Sequence, residues 1–349
     1  MEGWQRDRGE PQGTSCVLPI PSSRIPHPSR RMGPARQPVF RGTAPALVTP
    51  FTPDGDGIDE GAFRRLIDFQ LEGSPGPDGA AYGGVEALVV LGTTGENPTV
   101  GHDERRRLVG LALEHTAGRV PVVVGTGTND TRQSAAFSRE AADAGADGLL
   151  VVGPYYNKPT PDGVVAHVAA IADATDCPIV LYNVPGRTGS NLTAETTLRV
   201  IDEIPSVVGV KEASGDLGQI ADVIASAPEG VAVYSGDDDL AFPTVCLGGA
   251  GLISVVANAA PGPTAELIRR ALAGDVAEAR ALHYELLGAM RASFFESNPG
   301  PVKAVLAAQG RMAETVRLPL APLTDGARER VMAAYASLVE AGTPAAAEA

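Results

Sequence analysis

The sequence predicts an α/β protein built on a (β/α)8 TIM barrel and extended by a C-terminal helical appendage. Two observations support this prediction. Short runs rich in β-branched residues alternate with amphipathic stretches of helical length, and eight such pairs fit into about 230 residues, the count and length of this barrel. A doubly wound sheet would show the same alternation, but the units are evenly spaced and no GxGxxG motif follows the first strand. The barrel is therefore favoured.

The boundaries of the elements follow from the apolar pattern. The predicted strands are residues 44–48, 86–91, 120–125, 148–152, 178–182, 207–211, 231–235 and 251–256. The predicted helices between and after them are residues 60–72, 103–116, 131–144, 163–174, 194–203, 217–225, 239–247 and 264–273. Three further helices are predicted at residues 276–295, 302–309 and 325–341. We therefore expect an N-terminal extension (1–41), the barrel (42–273) and a C-terminal helical region (274–349).

Two segments interrupt this regular pattern. Residues 1–41 contain seven arginines and three acids, are rich in Pro and Ser, and lack the apolar core of a secretory signal. We interpret them as a disordered extension, or as a start assigned too early with Met32 as the true start; a targeting arm is less favoured. Residues 73–84 are rich in Gly and Pro, which predicts a flexible loop between the first helix and the second strand.

The composition excludes several classes of function. The net charge of −14 repels phosphate backbones and anionic lipids, so we expect no nucleic-acid or membrane partner. Three widely spaced cysteines form no CxxC pair, which favours a reducing, cytoplasmic location. Five histidines show no HExxH spacing, so no metal is expected.

Barrel enzymes place their active sites at the C-terminal ends of the strands, here called the mouth. The polar residues at these ends are Thr93 and Thr94 after the second strand, Tyr155 and Tyr156 after the fourth, Tyr182 and Arg187 at the fifth, Lys211 at the sixth, and Asp237 and Asp238 after the seventh. Hydroxyls, phenols, one amine and one guanidinium are therefore expected at one mouth.

Lys211 is the candidate nucleophile for a compositional reason. The chain has 25 arginines but only three lysines (Lys158, Lys211 and Lys303), so it uses Arg wherever a generic positive charge is sufficient. Arginine stays protonated and cannot form an imine, whereas a desolvated lysine amine can become neutral and attack a carbonyl. Lys211 also ends an apolar strand. The alternative is a structural lysine paired with Glu212.

Imine chemistry needs a proton carrier, and a carboxylated substrate needs a cation. The phenols of Tyr182 and Tyr156 can pass protons through a bridging hydroxyl, for which Thr94 is the candidate. Arg187, on a turn after the fifth strand, can bind a carboxylate through two hydrogen bonds. Each residue alone is typical of packing or of a surface. Their combination at one mouth indicates a Schiff-base enzyme.

A set of motifs carries a family resemblance. They are GTTGE (92–96), PYYN (154–157), YNVPGRTG (182–189), VKEASGD (210–216), SGDD (235–238) and LGGAGLISV (247–255). In order and spacing, from about residue 42 to 325, the chain resembles the dihydrodipicolinate (4-hydroxy-tetrahydrodipicolinate) synthase family. The resemblance implies a homotetrameric lyase, a dimer of dimers, that condenses pyruvate with aspartate semialdehyde in lysine and diaminopimelate biosynthesis without a cofactor.

The resemblance also implies roles for individual residues. Lys211 would form the imine with pyruvate, and Tyr182, Thr94 and Tyr156 would relay protons, with Tyr156 acting in a neighbouring subunit. The substrate-binding residues would be Thr93 and the backbone near Thr94 for the pyruvate carboxylate, Arg187 for the semialdehyde carboxylate, and Gly236 and Ile253 through backbone groups.

A possible lysine-effector site follows from the same resemblance. In lysine-regulated members the amino acid binds near the second and third helices, and the matching candidates here are His102, Asn129, Gln133 and Tyr155. Gln133 stands where regulated members carry a glutamate that pairs with the ligand's ammonium, and Arg105 stands where they often carry histidine. A lost charge-assisted hydrogen bond and an added like charge predict weak or absent inhibition by lysine.

Other functions stay open at this point. N-acetylneuraminate lyases and 2-keto-3-deoxy sugar acid aldolases of the same superfamily share the strand-six lysine and the YN motif. They tend to lack an arginine at the position of Arg187 and the paired threonines of GTTGE, so the synthase is favoured. A catalytically silent paralogue is the third alternative, but Lys211 and Tyr182 are both retained.

Overall fold

The structure, a computed structural model, describes residues 36–342. Eight parallel strands form its centre: β1 (Gly42–Pro45), β2 (Leu88–Val90), β3 (Val122–Gly125), β4 (Gly148–Val152), β5 (Ile179–Asn183), β6 (Val207–Glu212), β7 (Ala232–Ser235) and β8 (Gly251–Ser254). Pairing runs from β2 through β8 to β1, and a parallel bridge between Ala46 and Val89 closes the ring. The predicted (β/α)8 barrel is confirmed.

A helix follows each strand on the outside of the ring. These are α1 (Glu60–Glu72), α2 (His102–Thr116), α3 (Thr131–Asp143), α4 (Pro161–Ala172), α5 (Ala194–Glu203), α6 (Leu217–Ser226), α7 (Ala241–Cys246) and α8 (Pro261–Ala273). Several begin at a side-chain cap. Asp59, Asp130 and Thr193 each accept a hydrogen bond from a backbone N–H of the first turn, which satisfies a donor that the helix leaves unpaired.

The strands are apolar on both sides because the barrel interior and the helical layer both exclude water. Val89, Val123 and Val180 fill the interior, while Val90, Val122 and Leu181 face the helices. Side chains alternate between the two sides along a strand. This alternation directs Lys211 into the barrel beside Tyr182, its register neighbour on β5.

Four further helices follow the barrel: α9 (Val276–Ala292), α10 (Gly300–Ala308), α11 (Asp325–Ala334) and α12 (Ala336–Gly342). They form a second core with α8, in which Leu267, Leu286 and Val331 are buried. The predicted helix 325–341 is two helices, which meet at Tyr335. The buried phenol of Tyr335 is hydrogen-bonded to Ser293, at the end of α9, at 2.6 Å. This contact lies at the break between the two helices.

The chain before β1 is part of the barrel structure. Phe40 stacks on Tyr234 with ring centroids 4.4 Å apart, and its carbonyl accepts the Tyr234 phenol at 2.6 Å. Arg36 donates to the carbonyl of Ile201 at 2.5 Å. Residues 36–41, assigned from sequence to the disordered extension, are therefore packed against the barrel. The rest of the extension, Met32 included, lies outside the described residues.

Residues 73–84 form a small hairpin where the sequence predicted a flexible loop. Strands Ser74–Pro75 and Ala81–Tyr82 pair antiparallel, and the Ser74 hydroxyl accepts the backbone N–H of Gly262 on α8 at 3.2 Å. The hairpin is thus held by the helix that it crosses. Between residues 36 and 342 no helix is long and apolar enough to cross a membrane.

Candidate active site

Lys211 lies at the centre of the mouth. Its side chain is 4% exposed, and its Nζ lies 4.4 Å from the centroid of the Tyr182 ring. Burial lowers the pKa of Lys211 to about 8; the carboxylates of Asp237 and Asp238 oppose this shift, and the Arg187 guanidinium adds to it. A desolvated amine with this pKa is a nucleophile near neutral pH.

The structure separates Lys211 from Glu212. Glu212 points out of the barrel, where its carboxylate accepts hydrogen bonds from Asn183 Nδ2 at 2.9 Å and Gln219 Nε2 at 3.0 Å. It also accepts the backbone N–H of Ser214 at 2.9 Å. The alternative interpretation of Lys211 as a structural partner of Glu212 is therefore wrong. Within residues 36–342 Lys211 forms no ion pair.

Tyr182 supplies a buried phenol beside the amine. Burial raises the pKa of Tyr182 to about 12, while the nearby Arg187 charge and a hydrogen bond with the side chain of Thr93 act in the opposite direction. The phenol is therefore protonated at neutral pH.

The two threonines of the GTTGE turn have different surroundings. Thr94 is the predicted bridge, and its Oγ1 accepts a hydrogen bond from Asn298 Nδ2 at 2.9 Å. Thr93 lies close enough to Tyr182 to lower the pKa of the phenol. Both residues lie in the 3-10 turn Thr93–Gly95. Successive side chains in such a turn point about 120° apart, so only one of two adjacent threonines can reach the phenol.

The turn that carries these threonines is strained at both ends. Leu91 and Glu96 have φ values of 56° and 54°, a left-handed conformation that is uncommon for residues other than glycine. The Glu96 carboxylate is buried, where it pairs with Lys303 and accepts the backbone N–H of Arg317 at 2.9 Å. The C-terminal region therefore anchors the turn in this conformation.

Arg187 and Tyr156 lie at the rim of the mouth. Arg187 is on the exposed helical turn Pro185–Thr188, and its Nη2 donates to the carbonyl of Asn298 at 3.3 Å. Tyr156 is 88% exposed with φ 68°, and its backbone N–H binds the carbonyl of Thr188 at 3.2 Å. The structure therefore places Arg187 at the rim, where its charge lowers the pKa of Lys211, but does not bring the Tyr156 phenol to Lys211 within one chain.

Gly236 and Ile253 lie against the barrel interior. A Cβ on Gly236 would lie 2.9 Å from Lys211 Cε and 2.6 Å from Ala213 Cβ, so only glycine leaves room for the lysine side chain. Ile253 is fully buried on β8 in the same interior cluster as Tyr182. In the described part of the chain, no group of three or more His, Cys, Asp or Glu side chains is arranged to hold a metal ion.

A buried amine beside a protonated phenol is the arrangement that a Schiff-base lyase needs. The model of the dihydrodipicolinate synthetase family matches residues 39–338. The chain belongs to this family. A 4-hydroxy-tetrahydrodipicolinate synthase from Salinibacter ruber is 57% identical over 308 residues, which cover 88% of this chain and 98% of the relative. The predicted family and enzyme class, a lyase, are confirmed.

Solved structures of dihydrodipicolinate synthases have the same fold. The enzyme from Thermotoga maritima superposes with a TM-score of 0.81 at 42% identity, over 86% of this chain and 99% of that one. The enzyme from Cyanidioschyzon merolae, solved with lysine bound, gives a TM-score of 0.81 at 35% identity, over 86% of this chain and 98% of that one.

A cavity of about 400 Å³ lies beside the 3-10 turn that carries Thr93 and Thr94. It is lined by Thr93, Asn97, Pro98, Val100, Arg105, Gly127, Thr128, Gln133, Phe137, Val152, Tyr155, Val184, Arg187 and Thr188. Two arginines and no carboxylate contribute to this lining, so the cavity favours anionic or neutral groups over cations.

The candidates for the effector site fall into two groups. Gln133 and Tyr155 line the cavity. His102 and Asn129 are not among its lining residues: His102 pairs with Glu140 at 2.8 Å, and the carbonyl of Asn129 accepts a hydrogen bond from Asn157.

Arg105 fills part of this region. Its side chain is 5% exposed and donates to Asn97 Oδ1 at 2.6 Å and to the carbonyl of Gly125 at 2.5 Å. The guanidinium lies 4.2 Å from the centroid of the Phe137 ring, and burial lowers the pKa of Arg105 to about 10. A buried cation therefore stands beside Gln133 and Tyr155.

Sequence reasoning missed the residues of the C-terminal region that contact the site. Asn298 and Lys303 contact the GTTGE turn from more than 200 residues away along the chain. One signal was available for Lys303, because it is one of only three lysines. The same argument that selected Lys211 applied to it, and the sequence did not show that its amine is paired with Glu96.

Proposed function

We propose that this chain catalyses the 4-hydroxy-tetrahydrodipicolinate synthase reaction, the condensation of pyruvate with L-aspartate 4-semialdehyde in lysine and diaminopimelate biosynthesis. One observation carries the proposal: the buried Lys211 amine without an ion pair, beside the protonated phenol of Tyr182. The name of the Salinibacter ruber relative, 57% identical over most of both chains, supports it.

Imine formation is the first step. The neutral Lys211 amine attacks C2 of pyruvate, and loss of water from the carbinolamine gives a protonated imine. With a pKa of about 8, roughly one quarter of the amine is neutral at pH 7.5, against about 0.1% for an ordinary lysine. Burial therefore increases the nucleophilic fraction by about two orders of magnitude.

Proton transfers follow through the hydroxyls. The Tyr182 phenol, linked to Thr93, moves protons during carbinolamine breakdown and when the imine loses a methyl proton to become an enamine. Tyr156 of a second copy completes this relay. Its 88% exposed phenol cannot serve its own mouth, so it is available to a second copy of the chain.

Carbon–carbon bond formation uses Arg187. The guanidinium holds the carboxylate of the semialdehyde at the rim while the enamine carbon attacks the aldehyde, whose oxygen takes a proton from the relay. The amine of the condensed product then attacks the imine carbon and releases Lys211. The net reaction consumes pyruvate and the semialdehyde and releases the cyclic product and one water.

The proposed assembly is a homotetramer made of two dimers, each sharing Tyr156 between its mouths, in the cytoplasm. Family resemblance supports the tetramer, and the exposure of Tyr156 supports the dimer. Among the described residues Cys177 and Cys246 are free thiols, as a reducing compartment requires.

Lysine is proposed to inhibit this chain weakly or not at all. The buried Arg105 guanidinium lines the same cavity as Gln133, whose neutral amide supplies no charge to pair with a ligand ammonium. Repulsion between two cations and the lost ion pair both weaken lysine binding, by roughly tenfold to several hundredfold.

Two measurements test the central proposal. Borohydride reduction in the presence of pyruvate should add one pyruvate-derived mass per subunit, on the peptide that contains Lys211, and Lys211→Arg should abolish it. Labelling at Lys158 or Lys303 would contradict the assignment. An assay coupled to the downstream reductase should show turnover of the semialdehyde, and efficient cleavage of N-acetylneuraminate would instead favour the sugar acid aldolases.

A further inference from the structure

Asn298 lies where the C-terminal segment crosses the barrel mouth between α9 and α10. It is 4% exposed. Its Nδ2 donates to Thr94 Oγ1 at 2.9 Å, and its backbone carbonyl accepts Arg187 Nη2 at 3.3 Å. One residue thus contacts both the turn that would bind the pyruvate carboxylate and the cation that would bind the semialdehyde carboxylate.

We propose that Asn298 is a positioning residue. It fixes the direction of its hydrogen bond with Thr94 and holds Arg187 at a set distance from Thr94. This inference rests on the proposed function, because it assigns each contact to one substrate. Asn298 need not touch either substrate; it acts through Thr94 and Arg187.

The direction of the hydrogen bond follows from donor chemistry. An amide nitrogen donates and does not accept, so Thr94 Oγ1 is the acceptor in this bond. The hydroxyl proton of Thr94 is then free to point elsewhere. A carboxylate only accepts hydrogen bonds, so a hydroxyl oriented in this way is prepared to donate to the carboxylate of pyruvate.

The two contacts of Asn298 can be separated by mutation. The bond to Thr94 uses the side chain, whereas the bond to Arg187 uses the backbone carbonyl. Substitution of the side chain therefore changes the pyruvate site and retains the contact with Arg187. We expect a larger effect on the half-saturation concentration of pyruvate than on that of the semialdehyde.

Asn298→Asp is the informative variant. It is nearly isosteric, but its carboxylate accepts the Thr94 hydroxyl proton and so reverses the hydrogen bond. The pyruvate concentration that gives half-maximal borohydride trapping should rise about tenfold to a hundredfold. Asn298→Ala removes the donor without reversing the bond, so its increase should be smaller, about threefold to tenfold.

A matched control and a double variant separate positioning from folding. Gln309→Glu also changes a buried amide of the C-terminal region, one that binds the carbonyls of Ala259 and Leu338 and no residue of the GTTGE turn. It should lower the unfolding temperature without changing pyruvate half-saturation. In a Thr94→Val background, Asn298→Asp should add less than a threefold change, because its route of action is already removed.

Each outcome decides one claim. Pyruvate half-saturation within twofold of the native value in both Asn298 variants would overturn the inference and leave a structural role. A full effect of Asn298→Asp in the Thr94→Val background would overturn it as well, since the added charge would act directly. Because trapping needs no semialdehyde, trapping without condensation defeats only the proposed function, and absence of trapping in the native protein defeats both.

Discussion

The two buried lysines should respond to the same substitution in opposite ways. Burial lowers the pKa of Lys211 and of Lys303 to about 8. Their surroundings differ, because the Lys303 amine pairs with the Glu96 carboxylate while Lys211 has no ion pair within the described chain. Replacement by methionine, which is unbranched, one atom shorter and uncharged, tests this difference.

Lys211→Met should stabilise the fold. The native pKa of about 8 lies below the ordinary 10.5, so protonating the amine at neutral pH costs the native state about 3 kcal/mol. Between pH 8 and pH 10.5 the native state binds fewer protons than the unfolded chain. The free energy of unfolding of the native protein therefore decreases as the pH falls from 10.5 to 8. The gain from Lys211→Met should be up to about 3 kcal/mol at pH 7 and about 1 kcal/mol at pH 10.

Lys303→Met should destabilise the fold. It leaves the Glu96 carboxylate, which is 3% exposed, buried without its cation. Removal of one partner of a buried pair typically costs about 3–5 kcal/mol. It should also release the strained turn at Glu96, so imine trapping should weaken although Lys211 is unchanged.

Urea denaturation followed by circular dichroism measures both effects at a fixed protein concentration, so that subunit association is constant. The free energy of unfolding is compared among the native protein and the two variants at pH 7 and pH 10. If Lys211→Met were as destabilising at pH 7 as Lys303→Met, the charge of Lys211 would be paired with an opposite charge in the native state. The argument for a poised nucleophile would then be refuted.

Four further outcomes are expected. Arg187→Ala should raise the KM for the semialdehyde at least tenfold while pyruvate trapping stays nearly intact; an equal loss of both would show a structural arginine. Thr93→Val should reduce kcat by about a hundredfold or more, whereas Thr94→Val should act mainly on the KM for pyruvate. The pH-independent values of kcat and of this KM measure the two effects. Activity should fall with dissociation in a dilution series followed by sedimentation, and a fully active monomer would exclude a shared Tyr156. Half-inhibition by lysine below about a millimolar would show that Arg105 does not block the effector site.

The barrel could be predicted because its signals are local. Runs of β-branched residues mark the strands, and caps such as Asp59 and Thr193 mark the helix starts. The positions of Lys211 and Tyr182 at the mouth then follow from the barrel rule. Each of these inferences needs only a short stretch of chain.

The rest of the site depends on features without a local pattern. The different surroundings of Thr93 and Thr94 depend on a 3-10 turn held by left-handed residues, which no composition rule indicates. Asn298 and Lys303 reach this turn across more than 200 residues. Arg105 looks like a surface residue of an Arg-rich helix, and only packing against Phe137 shows that it is buried.

The contact of Asn298 and Lys303 with the GTTGE turn limits how hybrid enzymes can be built. A fusion that joined this barrel to the C-terminal helices of a relative at residue 274 would keep the ring of strands. It would still need an asparagine and a lysine that meet Thr94 and Glu96, and a chain cut there would expose the carboxylate of Glu96. Recombination should therefore exchange residues 93–96 and 298–317 together, because their side chains contact each other.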